Sequence, residues 1–256
     1  MLFSEMPAWP AHALWPVLGT LAGLIAGSFL ATLVVRWPRG ESIGGRSHCD
    51  GCQARLSLPD LIPLWSFLVA RGACRRCGAR IDWRHPALEL TAALIGGLAL
   101  FVVPGPAGFA GALLGWFLLA LLALDAEHFW LPDALTLPLL ALGLLLGPGD
   151  LVDRLLGIAV AGGGFLTLAL LYKALRGREG LGMGDVKLMA ALGAWLSPLL
   201  IGPLILLAAL TGLALAAAKA LQAGPAVEIP KRIPFGACLA AAGFPMWLAA
   251  NGLGLF

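Results

Sequence analysis

Residues 107–125 read AGFAGALLGWFLLALLALD, eighteen residues without an ionisable side chain and then the carboxylate of Asp125. A helix of that length is about as long as the hydrocarbon core of a bilayer is thick. The stretch therefore predicts a membrane-spanning helix that leaves Asp125 at a water-facing edge. Similar apolar runs extend outward from it at roughly 14–35, 87–103, 133–147, 151–172, 186–200, 202–221 and 235–255. With 107–124 they make about eight spans. Only Pro198 and Pro203 divide the sixth from the seventh, so seven and eight both fit. The expected fold class is all-α, a polytopic membrane helical bundle.

Composition excludes the other classes. The 256 residues are 60% hydrophobic and 12% charged, against about 25% charged in an ordinary soluble domain. Mean hydropathy is +0.90, which leaves too little polar surface to coat a globule. Long apolar runs, not alternating segments of about ten residues, exclude a membrane β-barrel. Disordered, collagenous and disulfide-rich secreted chains are excluded on the same composition.

Basic residues set the orientation. Of seventeen Lys and Arg, nine lie between the first two helices, four flank 173–187 and three flank 219–232, leaving Arg154 alone on the other side. Positive charge stays in the cytoplasm, so those three loops are expected inside and both termini outside. The first Arg follows the first apolar run, so the N-terminus does not read as a cleavable signal peptide. The net charge of +3 is accounted for by these loops and suits anionic lipid head groups. No nucleic-acid partner is expected. The chain divides into a first transmembrane helix (1–36), a cytoplasmic loop (37–86) and a transmembrane core (87–256).

The loop carries Cys49-x-x-Cys52 and, twenty-one residues on, Cys74-x-x-Cys77. Two such knuckles gather four thiolates tetrahedrally around zinc. The metal supplies folding energy that about fifty residues cannot find in a core of their own. Two disulfides are the competing reading, and a reducing cytoplasm argues against them. Polar or small turn residues, Gln53 and Gly78, follow each pair, and Gly51 eases the first turn. Four sulfurs fill the shell, so His48 and His85 are expected to be bystanders, and Cys238, in an apolar helix, to be packing.

Fourteen carboxylates remain, and those abutting helices matter most. Asp125 ends the third helix. Asp185 stands in Gly182-Met-Gly184-Asp185-Val-Lys187, where the sixth begins. Two helices separate them, an even number, so both lie on one face. Paired carboxylates share a proton and titrate together. One can then take a proton from water while the other donates to a peptide carbonyl or leaving nitrogen. Helix dipoles favour Asp185 as the base and Asp125 as the acid. Gly182 and Gly184 would let a substrate backbone approach, and Lys187 reads as an interfacial side chain that reaches toward water. Asp133, after Pro132, is expected to cap its helix, and Glu127 and His128 to lie in a solvated loop. Gly162–Gly164 lacks the Lys, Ser or Thr of a phosphate loop and reads as helix packing.

These residues resemble the type IV prepilin peptidases, the bifunctional leader peptidases and N-methyltransferases of pilus and type II secretion systems. The likeness covers Gly27-Ser28-Phe29-Leu30, Arg36-x-Pro38, both cysteine pairs and Pro63-Leu-x-Ser66. It continues through Arg84-His-Pro86-x-x-Glu89, Asp125, Leu131-Pro132-Asp133-x-x-Thr136 and Gly182-x-Gly184-Asp185-x-Lys187. Ala31 and Leu61 stand where the family commonly has Asn, and Cys49-Asp-Gly-Cys52 lacks the usual Pro. None of these touches the aspartates or the sulfurs.

The resemblance implies catalytic Asp125 and Asp185, and metal-binding Cys49, Cys52, Cys74 and Cys77 with structural zinc. It implies a peptidase core in 87–256 and prepilin or pseudopilin substrates in a bacterial inner membrane. Their basic leader is cut after a Gly at the cytoplasmic edge, and the new N-terminal residue, usually Phe, is methylated with S-adenosylmethionine. No methyltransferase glycine motif marks the donor's place. Presenilin-type and preflagellin peptidases share Gly-x-Gly-Asp, and the four-cysteine loop argues against both. A transporter or scaffold with a zinc-loop docking module would need polar residues deep within several spans, and few are present.

Overall fold

The computed structural model describes residues 11–223 and 233–255. Residues 1–10, where a signal peptide would begin, and Lys231 and Arg232 of the third basic loop lie outside the described residues. Every apolar run folds as helix, because lipid offers backbone groups no partner and a helix satisfies them internally. In chain order these are α1 (Ala11–Arg36), α2 (Arg84–Val102), α3 (Pro106–His128), α4 (Asp133–Leu146), α5 (Leu151–Arg176), α6 (Met183–Trp195), α7 (Ile201–Ala223) and α8 (Phe235–Gly252). Among the described residues β-structure is limited to two isolated bridges, His48–Arg55 and Ala73–Arg80. Five stretches are long and apolar enough to cross a membrane: Leu14–Arg39, Arg84–Val102, Pro106–His128, Leu151–Arg176 and Pro198–Leu221. Asp133–Leu146 is apolar but shorter.

The chain forms two compact units that divide between Trp116 and Phe117. In the first, α1 and α2 pack closely along their lengths. Gly19, Gly23 and Gly27, spaced four apart, make this closeness possible. A β-carbon at Gly19 or Gly23 would collide with the carbonyl oxygen of Gly96 or Ala92, and one at Gly27 would stand 2.6 Å from Glu89 Cα. Small residues at that spacing let two backbones meet in lipid, where no hydrophobic force drives helices together. Trp116 adds an indole N–H to Ala92 O at 2.9 Å. Gly23→Leu should lower unfolding stability in mixed micelles by about 1–3 kcal/mol, since the inserted side chain meets backbone and not a movable side chain. Unchanged stability would mean that this contact does not hold the pair.

In the second unit α6 lies against α4 and α5. Trp195 is buried and donates its indole N–H to Leu139 O at 2.9 Å. A π-helical turn, Ala159–Gly163, interrupts α5, and Gly162 within it packs on Ala190, as helix packing predicts. Arg154 donates to Leu144 O at 2.8 Å and Gly149 O at 2.9 Å. It therefore serves the open carbonyls at the end of α4.

Candidate functional site

The cysteine loop is built from two copies of one turn. In the first, Cys49 N–H donates to Ala54 O (3.0 Å) and Gln53 N–H to Cys49 O (2.9 Å). In the second, Cys74 N–H donates to Ala79 O (2.8 Å) and Gly78 N–H to Cys74 O (2.9 Å). Each turn needs a left-handed residue just after its second cysteine, and Gln53 and Gly78 have φ of 57° and 72°. The repeat Cys-x-x-Cys-x-Ala-Arg was legible at 49–55 and 74–80, beyond the cysteine spacing alone.

Facing each other, the turns bring the four sulfurs within 4.8 Å of one another. The Cys49 and Cys77 sulfurs are 3.8 Å apart. Zn–S bonds of about 2.3 Å in a tetrahedron require a sulfur separation of roughly 3.8 Å, so the donor set fits zinc. All four thiols are free. Backbone N–H groups of Cys77 and Arg76 point at the Cys74 sulfur and draw its pKa down to about 6, while the neighbouring sulfurs push Cys77 up to about 11, as crowded thiols do when one of them ionises first. His48 and His85 are not among the clustered ligands. Cys238 is buried in α8, as expected of packing.

Asp125 and Asp185 come together in the second unit. Asp125 is 5% exposed, and its Oδ2 accepts the Ala237 N–H at 2.6 Å. Asp185 is half-buried in the first turn of α6. Both face Gly236 in the first turn of α8, where a β-carbon would lie 2.9 Å from Asp125 Oδ2 and 2.9 Å from Asp185 Oδ1. The two oxygens are thus separated by no more than twice that distance. Each carboxylate now has a helix N-terminus beside it, α6 for Asp185 and α8 for Asp125, so the dipole argument no longer separates an acid from a base.

Other expectations need correction. The third helix does not stop before Asp125 but continues to His128, so Glu127 and His128 occupy its last turn and not a loop. Asp133 is not a cap. Pro132 holds that position, and Asp133 instead receives Lys187 Nζ on both oxygens, at 2.7 and 2.8 Å. This pair ties the start of α4 to α6. Gly182 is exposed at the start of α6 with room above it, its nearest neighbour being Asp185 Oδ2 at 3.3 Å from a β-carbon. Gly184, by contrast, packs against Leu131. Gly236 was missed. Its signal was Pro234-Phe-Gly236 opening the last apolar run on the face that holds both aspartates.

Comparison with known proteins covers both units. Residues 21–103 match the bacterial peptidase A24 N-terminal domain, and residues 112–217 match the type IV leader peptidase family. The chain is 37% identical to the type 4 prepilin-like proteins leader peptide-processing enzyme of Escherichia coli O78:H11, over 95% of this chain and 96% of that one. It is 40% identical to the prepilin leader peptidase/N-methyltransferase of Dickeya chrysanthemi, over 91% of this chain and 80% of the relative. For the Neisseria gonorrhoeae protein of that name the figures are 31%, 92% and 91%. No solved structure matches the chain significantly. With two domain models matched in order and relatives aligned over most of their length, the chain belongs to the type IV leader peptidase family.

Proposed function

We propose that this protein cleaves the basic leader from prepilins or pseudopilins at the cytoplasmic face of a bacterial inner membrane and then N-methylates the exposed residue, usually Phe, with S-adenosylmethionine. The observation that carries the proposal is the convergence of Asp125 and Asp185 on Gly236, within a chain whose relatives are prepilin leader peptidases. About eight spans, with the basic loops inside and both termini outside, put the aspartates and the cysteine loop on the face where the scissile bond lies. Residues 37–86 form the zinc-holding cytoplasmic module, and 87–256 the peptidase core.

One carboxylate takes a proton from a water whose oxygen adds to the scissile carbonyl carbon, while the other, protonated, donates to the carbonyl oxygen. Collapse breaks the C–N bond: the leaving nitrogen takes the proton the pair holds, a hydroxyl of the gem-diol gives its proton to the pair as the new carboxyl forms, and the pair returns to sharing one. Gly182 leaves room beside Asp185 for an extended backbone, and the Lys187–Asp133 pair holds α6 in place. Zinc, ligated by Cys49, Cys52, Cys74 and Cys77, is structural, because four protein sulfurs leave no position for water. Buried polar side chains among the described residues are Arg36, Glu89, Asp125 and Thr136. That is too few for a transport relay through several spans.

Mass spectrometry of a co-expressed pseudopilin tests both activities: leader loss with one added methyl group is expected. An intact leader beside inserted enzyme, for a client that a relative processes, would overturn the peptidase reading. Gly236→Val should reduce cleavage by roughly 10²-fold or more, because it puts carbon against both catalytic oxygens. Cleavage within threefold of wild type would show that the space at Gly236 is not used.

A further inference from the structure

Between the two cysteine turns the chain forms two short helices, Leu58–Leu61 and Trp65–Val69, and their polarity is inside out. Leu58, Leu61, Ile62, Trp65, Leu68 and Val69 are all exposed, Leu58 by 79%, Trp65 by 61% and Leu68 by 69%. The polar groups are the ones that find partners within the loop. Asp60 accepts the Ser57 N–H at 3.1 Å and lies 3.6 Å from Arg75 Nη1. Phe67 alone of the large apolar side chains in Trp65–Val69 turns away from solvent, folding over Gly72. Single exposed leucines are ordinary on a protein surface. Apolar side chains crowded this closely along twelve residues mark a surface that something apolar covers.

The level of the segment along α2 says what covers it. Leu64, which joins the two short helices at φ 58°, donates its N–H to Glu89 Oε2 at 2.8 Å. α2 has 19 residues, about 28 Å of helix against a hydrocarbon core of about 30 Å, so its start at Arg84 lies at a membrane edge. Glu89 is about 7 Å further in, and a helical side chain leans back toward the N-terminus. The Glu89–Leu64 bond therefore sets the segment beside the first turns of α2, in the interfacial layer. Trp83, 71% exposed, stands at the same edge, immediately before Arg84. Tryptophan is enriched at that depth, where its ring is apolar and its N–H meets head groups. Arg55 and Arg71 bracket the segment and are exposed, and their charge is the sign that anionic lipid attracts.

We propose that this segment is a lipid-binding surface: its six exposed apolar side chains enter the bilayer interface beside α2, and Arg55 and Arg71 meet anionic head groups. Interfacial segments bind in this way, by buried apolar area together with attraction to anionic lipid. The four-cysteine module is then held to the membrane at three places: the end of α1, the start of α2 and the segment between its own two turns. This role is independent of the peptidase and transferase chemistry.

The test uses the full chain in vesicles of phosphatidylethanolamine and phosphatidylglycerol, with photoreactive p-benzoylphenylalanine replacing Trp65, Leu68 or Ser42 in turn. Ser42 is exposed in the polar stretch that follows α1. After illumination, mass spectrometry should find lipid adducts at Trp65 and at Leu68, each in a yield about fivefold or more above that at Ser42. Equal lipid yields at all three positions would overturn the proposal, because they would reflect mere nearness to the membrane. Adducts with a second copy of the chain, or with a co-reconstituted pseudopilin, in place of lipid would overturn it too. So would the absence of any adduct in variants that insert and resist protease as the wild type does. Two independent positions in the segment let one decide if the other variant fails to fold.

Discussion

Asp125→Asn and Asp185→Asn should each abolish leader cleavage, lowering kcat/KM by roughly 10³-fold or more while the protein still inserts and retains zinc. Asparagine has nearly the shape of aspartate and can still offer an oxygen to the Ala237 N–H that Asp125 Oδ2 accepts. What it cannot do is exchange a proton, and both steps of hydrolysis require that exchange. Because the pair acts as a unit, the double variant should be little worse than either single one. Asp153→Asn is the control. Asp153 caps the start of α5 in a reciprocal box with Asp150, so its loss costs up to about 1 kcal/mol of stability and leaves cleavage intact. The measurement is the initial rate of leader removal from a purified pseudopilin in detergent. Cleavage within tenfold of wild type in either aspartate variant would end the two-carboxylate mechanism.

The helices were legible because lipid enforces a simple rule, helix wherever the chain is apolar, and each of the eight runs obeyed it, although among the described residues five stretches are long and apolar enough to cross a membrane. Their ends were less so. No breaker stands between Leu124 and His128, so α3 absorbs Asp125 and stops only where Phe129 turns to φ 52°. The cysteine spacing sufficed to predict the cluster, since chelation is local within each turn and leaves little freedom between them. Long-range pairings were hidden. Asp133 read as a cap because local sequence favoured one, whereas its partner, Lys187, lies 54 residues away and only the packing of α4 on α6 brings them together. Gly236 was silent for a related reason: a missing side chain has no periodicity, and its meaning appears only when two carboxylates arrive from elsewhere in the chain. Glu89 entered as a motif residue, and the strained Leu64 backbone it holds could not be read from either position.

Replacing Cys49 and Cys52 with Ser should empty the proposed zinc site and unfold the 37–86 loop, the largest stability loss expected of any change here. No residue of the loop's short helices, Leu58–Leu61 and Trp65–Val69, is buried, and Leu58, Trp65 and Leu68 are exposed. The loop thus has little core to fall back on, whereas structural zinc is worth about 10–16 kcal/mol in small tetrathiolate or mixed sites. Serine hydroxyls do not ionise at neutral pH, so two remaining thiolates cannot hold the ion. Elemental analysis should show stoichiometric zinc in the wild type and almost none in the double variant, together with rapid proteolysis confined to the loop. A strong chelator should reach the same state in the wild type, entering by the exposed Cys52 and Cys77. Acid acts in the same direction, because protons compete with zinc for thiolates. Methylation should fall further than cleavage, since the cysteine loop belongs to the first unit while Asp125 and Asp185 belong to the second. Stoichiometric zinc in the double variant would refute the four-sulfur site, and equal loss of both activities would mean that the loop supports the peptidase as directly as the transferase.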